Sequence, residues 1–197
     1  ITSAAREFFR LGYASSERHA LRDPLAAKGV SVDTMIEAGL LIHGDDIAVP
    51  FDRFRNRIIF PICDRSGRVI AFGGRAMDAD AQAKYLNSPE TPLFHKGATL
   101  YNLHNARKSA HETGSIIAVE GYIDVIALTT AGLPHVVAPL GTALTPEQCL
   151  LLWRMADEPI LCFDGDKAGL KAAYRAVDTA LPLLGAERSL RFVLLPE

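Results

Sequence analysis

Three carboxylates stand where apolar runs stop. Ile116-Ile117-Ala118-Val119 leads into Glu120, and Pro159-Ile160-Leu161-Cys162-Phe163 leads into Asp164, with Asp166 one Gly further on. Short apolar runs of this length, followed by Gly and a helical pattern, predict buried parallel strands that feed helices. In an open α/β sheet the ligand site lies outside the carboxyl ends of the strands. Acids placed there hold hard cations through oxygen, and the cations hold phosphates. The chemistry indicated is metal-dependent phosphoryl transfer. Glu120 and Asp164 are 44 residues apart with one strand between them. They meet if the strand order reverses, so that the first and third strands lie side by side, which is the switch point where doubly wound sheets bind ligands. Gly165 lets its turn present Asp164 and Asp166 without a Cβ in the way. An isolated Asp-Gly-Asp is also an ordinary turn; the strand-terminal Glu-Gly that accompanies it is what makes the pattern specific.

The elements that must position these acids are regular from Ser115 onward. The pattern predicts strand 116–119, helix 122–131, strand 134–138, helix 146–156, strand 159–163, helix 168–184 and strand 190–195. Such alternation implies right-handed crossovers and a parallel sheet. Thr145-Pro146-Glu147-Gln148 reads as a helix start, with Thr as N-cap, Pro at the first helical position and Gln closing a capping box. Upstream the texture differs. Residues 1–45 read as helical, with segments Ala4 to Leu11 and Ser31 to Ala38, the latter opened by Ser31 and ended by Gly39. Ile58 to Cys63 and Arg68 to Phe72 read as a hairpin around Asp64-Arg65-Ser66-Gly67. Residues 78–98 show little periodicity but keep aromatics and prolines, so they predict an ordered functional loop. Leu100 to Ser109 reads as a helix. The fold class is therefore α/β with a parallel Rossmann-like sheet, preceded by a smaller mixed α+β subdomain, with the division at residues 1–110 and 111–197.

Composition bounds the function. The chain has 197 residues, 49% of them hydrophobic, enough for one good core or two small ones. No apolar stretch approaches the length of a membrane span, and the start has no signal-peptide pattern. Cys63, Cys149 and Cys162 lack paired spacing, so neither a zinc site nor a disulfide framework is indicated, and a reducing, cytoplasmic setting is expected. The net charge of −2 hides an asymmetry: residues 1–110 hold 15 Lys and Arg against 12 Asp and Glu, and residues 111–197 hold 6 against 11. Arg53, Arg55, Arg57, Arg65, Arg68 and Arg75 crowd residues 52–75. A basic surface paired with an acidic site suits an enzyme that holds nucleic-acid phosphates with one and metals with the other, although an Arg-rich hairpin also serves as a plain solvated face.

Glu120-Gly121 and Asp164-Gly165-Asp166, on this framework, resemble the Toprim domain of topoisomerases and primases. The resemblance narrows to the RNA-polymerase core of bacterial replicative (DnaG-type) primases through further segments. These are Leu11-Gly12-Tyr13-Ala14, Arg55 to Ile62, Gly67 to Arg75, Lys84 to Thr91, Phe94-His95-Lys96-Gly97, Glu120 to Asp124 and Leu140-Gly141-Thr142. It implies synthesis of short RNA primers on single-stranded DNA from nucleoside triphosphates, with Mg²⁺, or Mn²⁺ in its place. By that resemblance Asp164 and Asp166 are metal ligands, and Glu120 is a ligand or a proton acceptor. Asp124 matches a family acid near the nucleotide, or is a partner of a helix N-terminus. Arg75, Lys84, Tyr85, Asn87 and Lys96 match positions that contact the triphosphate, Lys and Arg by charge and fork geometry. Arg55 and Arg57 alternate on a strand edge and so face one side, which suits the template backbone. His95 and His104 read as incidental polar surface.

The family has parts that these residues do not match. An N-terminal zinc module and a C-terminal domain that binds the replicative helicase are expected outside this sequence. The chain reads as a piece of a longer protein, its Toprim unit cut after Glu197, before the place where the family carries a further acidic pair. Such a piece is expected to bind metal weakly and to polymerise poorly. Two other readings stand beside the primase one: another Toprim phosphoryl-transfer enzyme (a topoisomerase or nuclease), and a non-catalytic nucleic-acid-binding module with a structural cation. None of the five Tyr stands out as a topoisomerase nucleophile.

Overall fold

Two stretches of apolar sequence each close on themselves. The chain divides into one unit of residues 2–62 with 69–95, and another of Ile1, residues 63–68 and the segment from Lys96 onward. The computed structural model describes residues 1–141 and 143–196. Thr142, in the Leu140-Gly141-Thr142 segment, and Glu197 lie outside the described residues.

The first unit carries short helices on an antiparallel sheet. Helix α1 (Ser3–Phe8) starts at Thr2, whose Oγ1 accepts the Ala5 N–H at 3.2 Å. Strand β1 (Gly12–Ala14) follows, then α2 (Arg22–Ala27) and α3 (Val32–Glu37), and the short hairpin β2 (Leu41–Ile42) and β3 (Phe51–Asp52). Ser31 caps α3 through Thr34 N–H, and Gly39 ends it at φ +70°. Strands β4 (Arg57–Cys63), β5 (Val69–Ala76) and β6 (Tyr85–Asn87) complete a sheet ordered β1-β4-β5-β6. The β4–β5 turn is an Asx turn: Asp64 Oδ1 accepts the N–H groups of Ser66 and Arg68 at 2.8 and 3.0 Å. Met35, Phe60, Ile62 and Phe94 are fully buried.

Two expectations for this unit change. The N-terminal segment is not all helical, because Gly12 to Ala14 finds antiparallel partners in Ile59 to Arg57, some 45 residues away. The stretch 78–98 is not all loop, because Tyr85–Asn87 pairs with Arg75–Gly73. Neither strand is long enough to show a period by itself, so only the partner reveals it.

The second unit is a five-stranded sheet. Its elements are β7 (Leu100–Tyr101), α4 (Leu103–Thr113), β8 (Ile117–Ala118), α5 (Tyr122–Thr130), β9 (Val136–Pro139), α6 (Pro146–Trp153), β10 (Ile160–Phe163), α7 (Lys167–Ala180) and β11 (Arg191–Leu194). The order is β11-β10-β8-β9-β7, with four parallel strands and β7 antiparallel at the edge. Leu100 and Tyr101, expected to open a helix, are this edge strand instead; α4 begins after Asn102, whose left-handed backbone (φ +67°) turns the chain. The expected adjacency of the first and third strands is present: β8 and β10 are direct neighbours.

Right-handed crossovers fix the layers. From β8 the chain moves to β9 on one side, and from β10 it moves to β11 on the other, so α5 and α7 cover opposite faces. Leu103, Ala106 and Ala110 of α4, Cys149, Leu152 and Trp153 of α6, and Ala176 and Ala180 of α7 form one core with Ala118, Val137 and Leu161 of the sheet. The buried Gln148 ties this core to the chain ahead of it. Its side chain closes the α6 capping box with Thr145, and its Nε2 donates to the Lys96 and Thr99 carbonyls at 3.1 and 2.9 Å.

Helix α7 approaches the end of β10 closely because residue 169 is Gly. A Cβ built there would lie 2.1 Å from the Asp164 carbonyl oxygen. Ala is the better helix former by about 1 kcal/mol, so propensity alone predicts that Gly169→Ala stabilises. Collision with main chain outweighs that gain, since overpacking costs about 1–3 kcal/mol. Gly169→Ala is therefore expected to lower the melting temperature, by up to roughly 8 °C. A thermal melt equal to or above that of the wild type would refute the close approach.

Candidate active site

Glu120 follows β8 and Asp164 follows β10, so strand adjacency brings them together at the switch point. The Asp164 N–H donates to Glu120 Oε1 at 3.0 Å, joining the two strand ends. Asp124 lies in the first turn of α5, where its Oδ2 accepts the Gly121 N–H at 2.9 Å. Partial burial, and then the charge of Asp164, hold the Asp124 carboxyl above the usual carboxylate range. The Asp124 side chain is nonetheless exposed, so solvent screens much of that effect. The Cys162 thiol, at the end of β10, is pushed up by burial and then by Asp164, Asp124 and Glu120. No cationic side chain is paired with Glu120, Asp124 or Asp164 among the described residues.

Asp166 is placed differently. Its Oδ1 caps α7, accepting the Ala168 and Gly169 N–H groups at 2.9 and 2.8 Å, and Oδ2 stays outside the cap. All donors at this site are carboxylate oxygens, the ligand type for Mg²⁺ or Mn²⁺. Among the described residues no three His, Cys, Asp or Glu side chains gather into a cage for an ion. Mg²⁺ rarely needs one: it takes one or two carboxylates and completes its shell with water and substrate phosphates. The residues present fit a cation shared with a phosphate ligand.

Beside Glu120 lies a cavity of about 340 Å³, walled by Ala118, Leu161 and Phe163 of the sheet and by Ala168, Ala172 and Arg175 of α7. Sequence reasoning did not single out Arg175, which lines this cavity. The signal was available, since residues 168, 172 and 175 share one face of a helix.

The expected triphosphate contacts fall in both units. In the first, Arg75 pairs directly with Tyr85, and Gly73 with Asn87, across the β5–β6 ladder. Opposed residues share a face, so Arg75, Tyr85 and Asn87 lie together. The other face has Gly74 and Leu86, and there Phe54 packs so near that a Cβ on Gly74 would meet its ring at 2.7 Å. Lys84 is exposed just ahead of β6, and its carbonyl accepts the Ala76 N–H. Arg53 fixes the end of β6 by donating twice to the Asn87 carbonyl, at 3.1 and 3.0 Å. Lys96 and Asp124 belong to the second unit, Lys96 in a short 3₁₀ turn.

The structural premise for Arg55 and Arg57 changes. Strand β4 is an interior strand, between β1 and β5, and Arg55 precedes it. Asn56, at φ +49°, breaks the alternation between them. Arg55 lies over the Phe51 ring at 4.9 Å, whereas Arg57 donates to the Gly74 carbonyl at 3.3 Å.

A family model described as DNA primase catalytic core, N-terminal domain, matches residues 1–107. The chain belongs to the DNA primase family. A Toprim domain model matches residues 114–193. The DNA primase of Pseudomonas aeruginosa is 45% identical over 197 residues, covering 100% of this chain and 30% of that protein. The crystal structure of a DNA primase domain from Pseudomonas aeruginosa superposes with a TM-score of 0.92 at 45% identity, covering 100% of this chain and 61% of that one. A DnaG primase catalytic domain bound to ssDNA gives 0.87 at 42% identity, with coverage of 100% and 61%. This primase-family chain therefore spans under a third of that curated relative, and the parallel sheet with its Glu120–Asp164 end is its Toprim unit.

In this Toprim unit the cap formed by Asp166 can be separated from its expected role as a metal ligand by substitution. Losing an N-cap side chain costs about 1 kcal/mol, whereas Asn caps as well as Asp. Asp166→Ala is expected to lower the unfolding free energy by about 1 kcal/mol, and Asp166→Asn to leave it near the wild-type value. Urea unfolding of both variants checks this; equal losses would show that the cap is not what the carboxylate contributes to the fold.

Proposed function

We propose that this chain is the nucleotide- and metal-handling part of a primase core, which makes short RNA primers on single-stranded DNA by nucleotidyl transfer from nucleoside triphosphates. The observation that carries the reading is the meeting of Glu120 and Asp164 at the switch point, with Asp124 near and no cationic side chain paired to them among the described residues. Binding of Mg²⁺ or Mn²⁺ there would supply charge neutralisation for the attacking and leaving oxygens. Asp164, through its carboxylate, and Asp166, through the oxygen left outside its cap, would hold the cation. Glu120 keeps one oxygen on the Asp164 N–H and presents the other, as ligand or proton acceptor. Arg75, Lys84, Tyr85 and Asn87 would contact triphosphate oxygens from the β5–β6 ladder. Lys96 and Asp124 are nucleotide-binding residues of the proposal within the Toprim unit. Arg55 and Arg57 would hold template backbone without reading bases. The bound ssDNA of one structural relative supports the choice of template.

In the full-length protein the zinc module and the helicase-binding domain would lie outside these residues. No helix among the described residues is long and apolar enough to cross a membrane, and cytoplasmic work at replicating DNA is part of the proposal.

The test is labelled-nucleotide incorporation on single-stranded DNA by the full-length protein, with Mg²⁺ or Mn²⁺. Asp164→Ala and Asp166→Asn are expected to cut synthesis by ~100-fold or more, since cation-held charge is worth several kcal/mol. The Asn variant should retain its melting temperature. Lost stability with synthesis intact would instead favour a structural cation in a binding module.

A further inference from the structure

The Toprim unit has a second charged concavity, of the opposite sign. A hollow of about 540 Å³ is lined by Arg65, His104, Arg107, Lys108, His111 and Arg154, together with Glu112 and Met155. The cations come from three elements far apart in sequence: the tip of the β4–β5 turn, one stripe of α4, and the residue that ends α6. A solvated helix face needs no such convergence. The tip is held against α4 by Arg107, whose Nη1 donates to the Arg65 carbonyl at 3.4 Å. Glu112 is the sole acid in the lining and pairs weakly with Lys108, at 3.9 Å between exposed groups. The guanidiniums of Arg65 and Arg154 have no carboxylate partner among the described residues. The surplus is local, because residues 63–68 and 96–197 together hold 11 Lys and Arg against 12 Asp and Glu.

The hollow is also separate from the acids. Arg154 and Met155 follow α6 just before β10 begins, and His111 is near the end of α4 just before β8 begins. These lie at the end of the sheet where its strands start, whereas Glu120 and Asp164 stand where the same strands finish. We propose that this hollow is a phosphate-binding site distinct from the acidic one. Three guanidiniums from different directions offer planar forks to a tetrahedral anion, and Lys108 adds a point charge. The phosphate belongs either to a nucleic-acid strand or to a free phosphoanion; the chemistry is shared, and nothing in it depends on what the acidic site does.

The experiment is an amide-resolved NMR titration of the 15N-labelled chain, without divalent cations so that the acids stay unloaded. Inorganic pyrophosphate and single-stranded oligothymidylate are the titrants, on the wild type and on Arg107→Glu/Arg154→Glu. Both residues are exposed, and the Gln/Gln pair replaces the reversal should that fail to fold. Pyrophosphate is expected to give saturable shifts at Arg65, Arg107, Lys108 and Arg154 that vanish in the double variant while the rest of the spectrum is preserved. If the oligonucleotide moves the same amides, and the variant's slope of log affinity against log salt falls by about 0.7 for each phosphate it no longer neutralises, the source is a strand. Shifts with pyrophosphate alone assign the site to a free phosphoanion. The inference is overturned if neither titrant moves these amides saturably, or if the shifts survive in the double variant.

Discussion

The hydrogen bond from the Asp164 N–H to Glu120 Oε1 is the interaction on which the rest of the site depends. It ties the end of β10 to the end of β8, two strands that chain order would not make neighbours. The turn that follows is held from its other end. Asp166 closes the first turn of α7 on its Oδ1, and Gly169 lets that helix come against the Asp164 main chain. One short turn is therefore fixed by a carboxylate from another strand, by its own cap and by a helix backbone. Carboxylates held this way keep their positions, as the proposed cation would require.

The same economy explains why the acids do not form a closed cage. Each has a structural duty that occupies one oxygen: Glu120 on the Asp164 N–H, Asp124 on the Gly121 N–H, Asp166 on α7. A cation that arrives with phosphate oxygens needs few more ligands. The same hydrogen bonds hold the carboxylates in place.

How far the sequence revealed this depended on the range of the interactions. The α6 start at Thr145, the α3 cap at Ser31 and the β4–β5 turn at Asp64 are legible because residues within four positions satisfy one another. Strands β1, β6 and β7 are two or three residues long, and their pairing partners are distant, so periodicity has nothing to act on. Arg55 and Arg57 show the other failure. They alternate only if Asn56 continues the strand, and its left-handed backbone ends the period between them.

Residue types and local spacing by themselves determined that acids follow apolar strands, that helices alternate with those strands, and that positive charge gathers ahead of them. Chain order allowed the two acidic ends to lie adjacent or apart. Tertiary structure alone decided which, because adjacency of β8 and β10 is set by hydrogen bonds between main chains 43 residues apart and by the core that α4, α6 and α7 bury together. It also decided that Arg65, Arg107 and Arg154 converge, since no local rule relates a hairpin tip to two helices. Where side chains answer to neighbours in sequence, physical rules can be applied before folding. Where they answer to neighbours in space, the free energy that positions them belongs to the packed molecule.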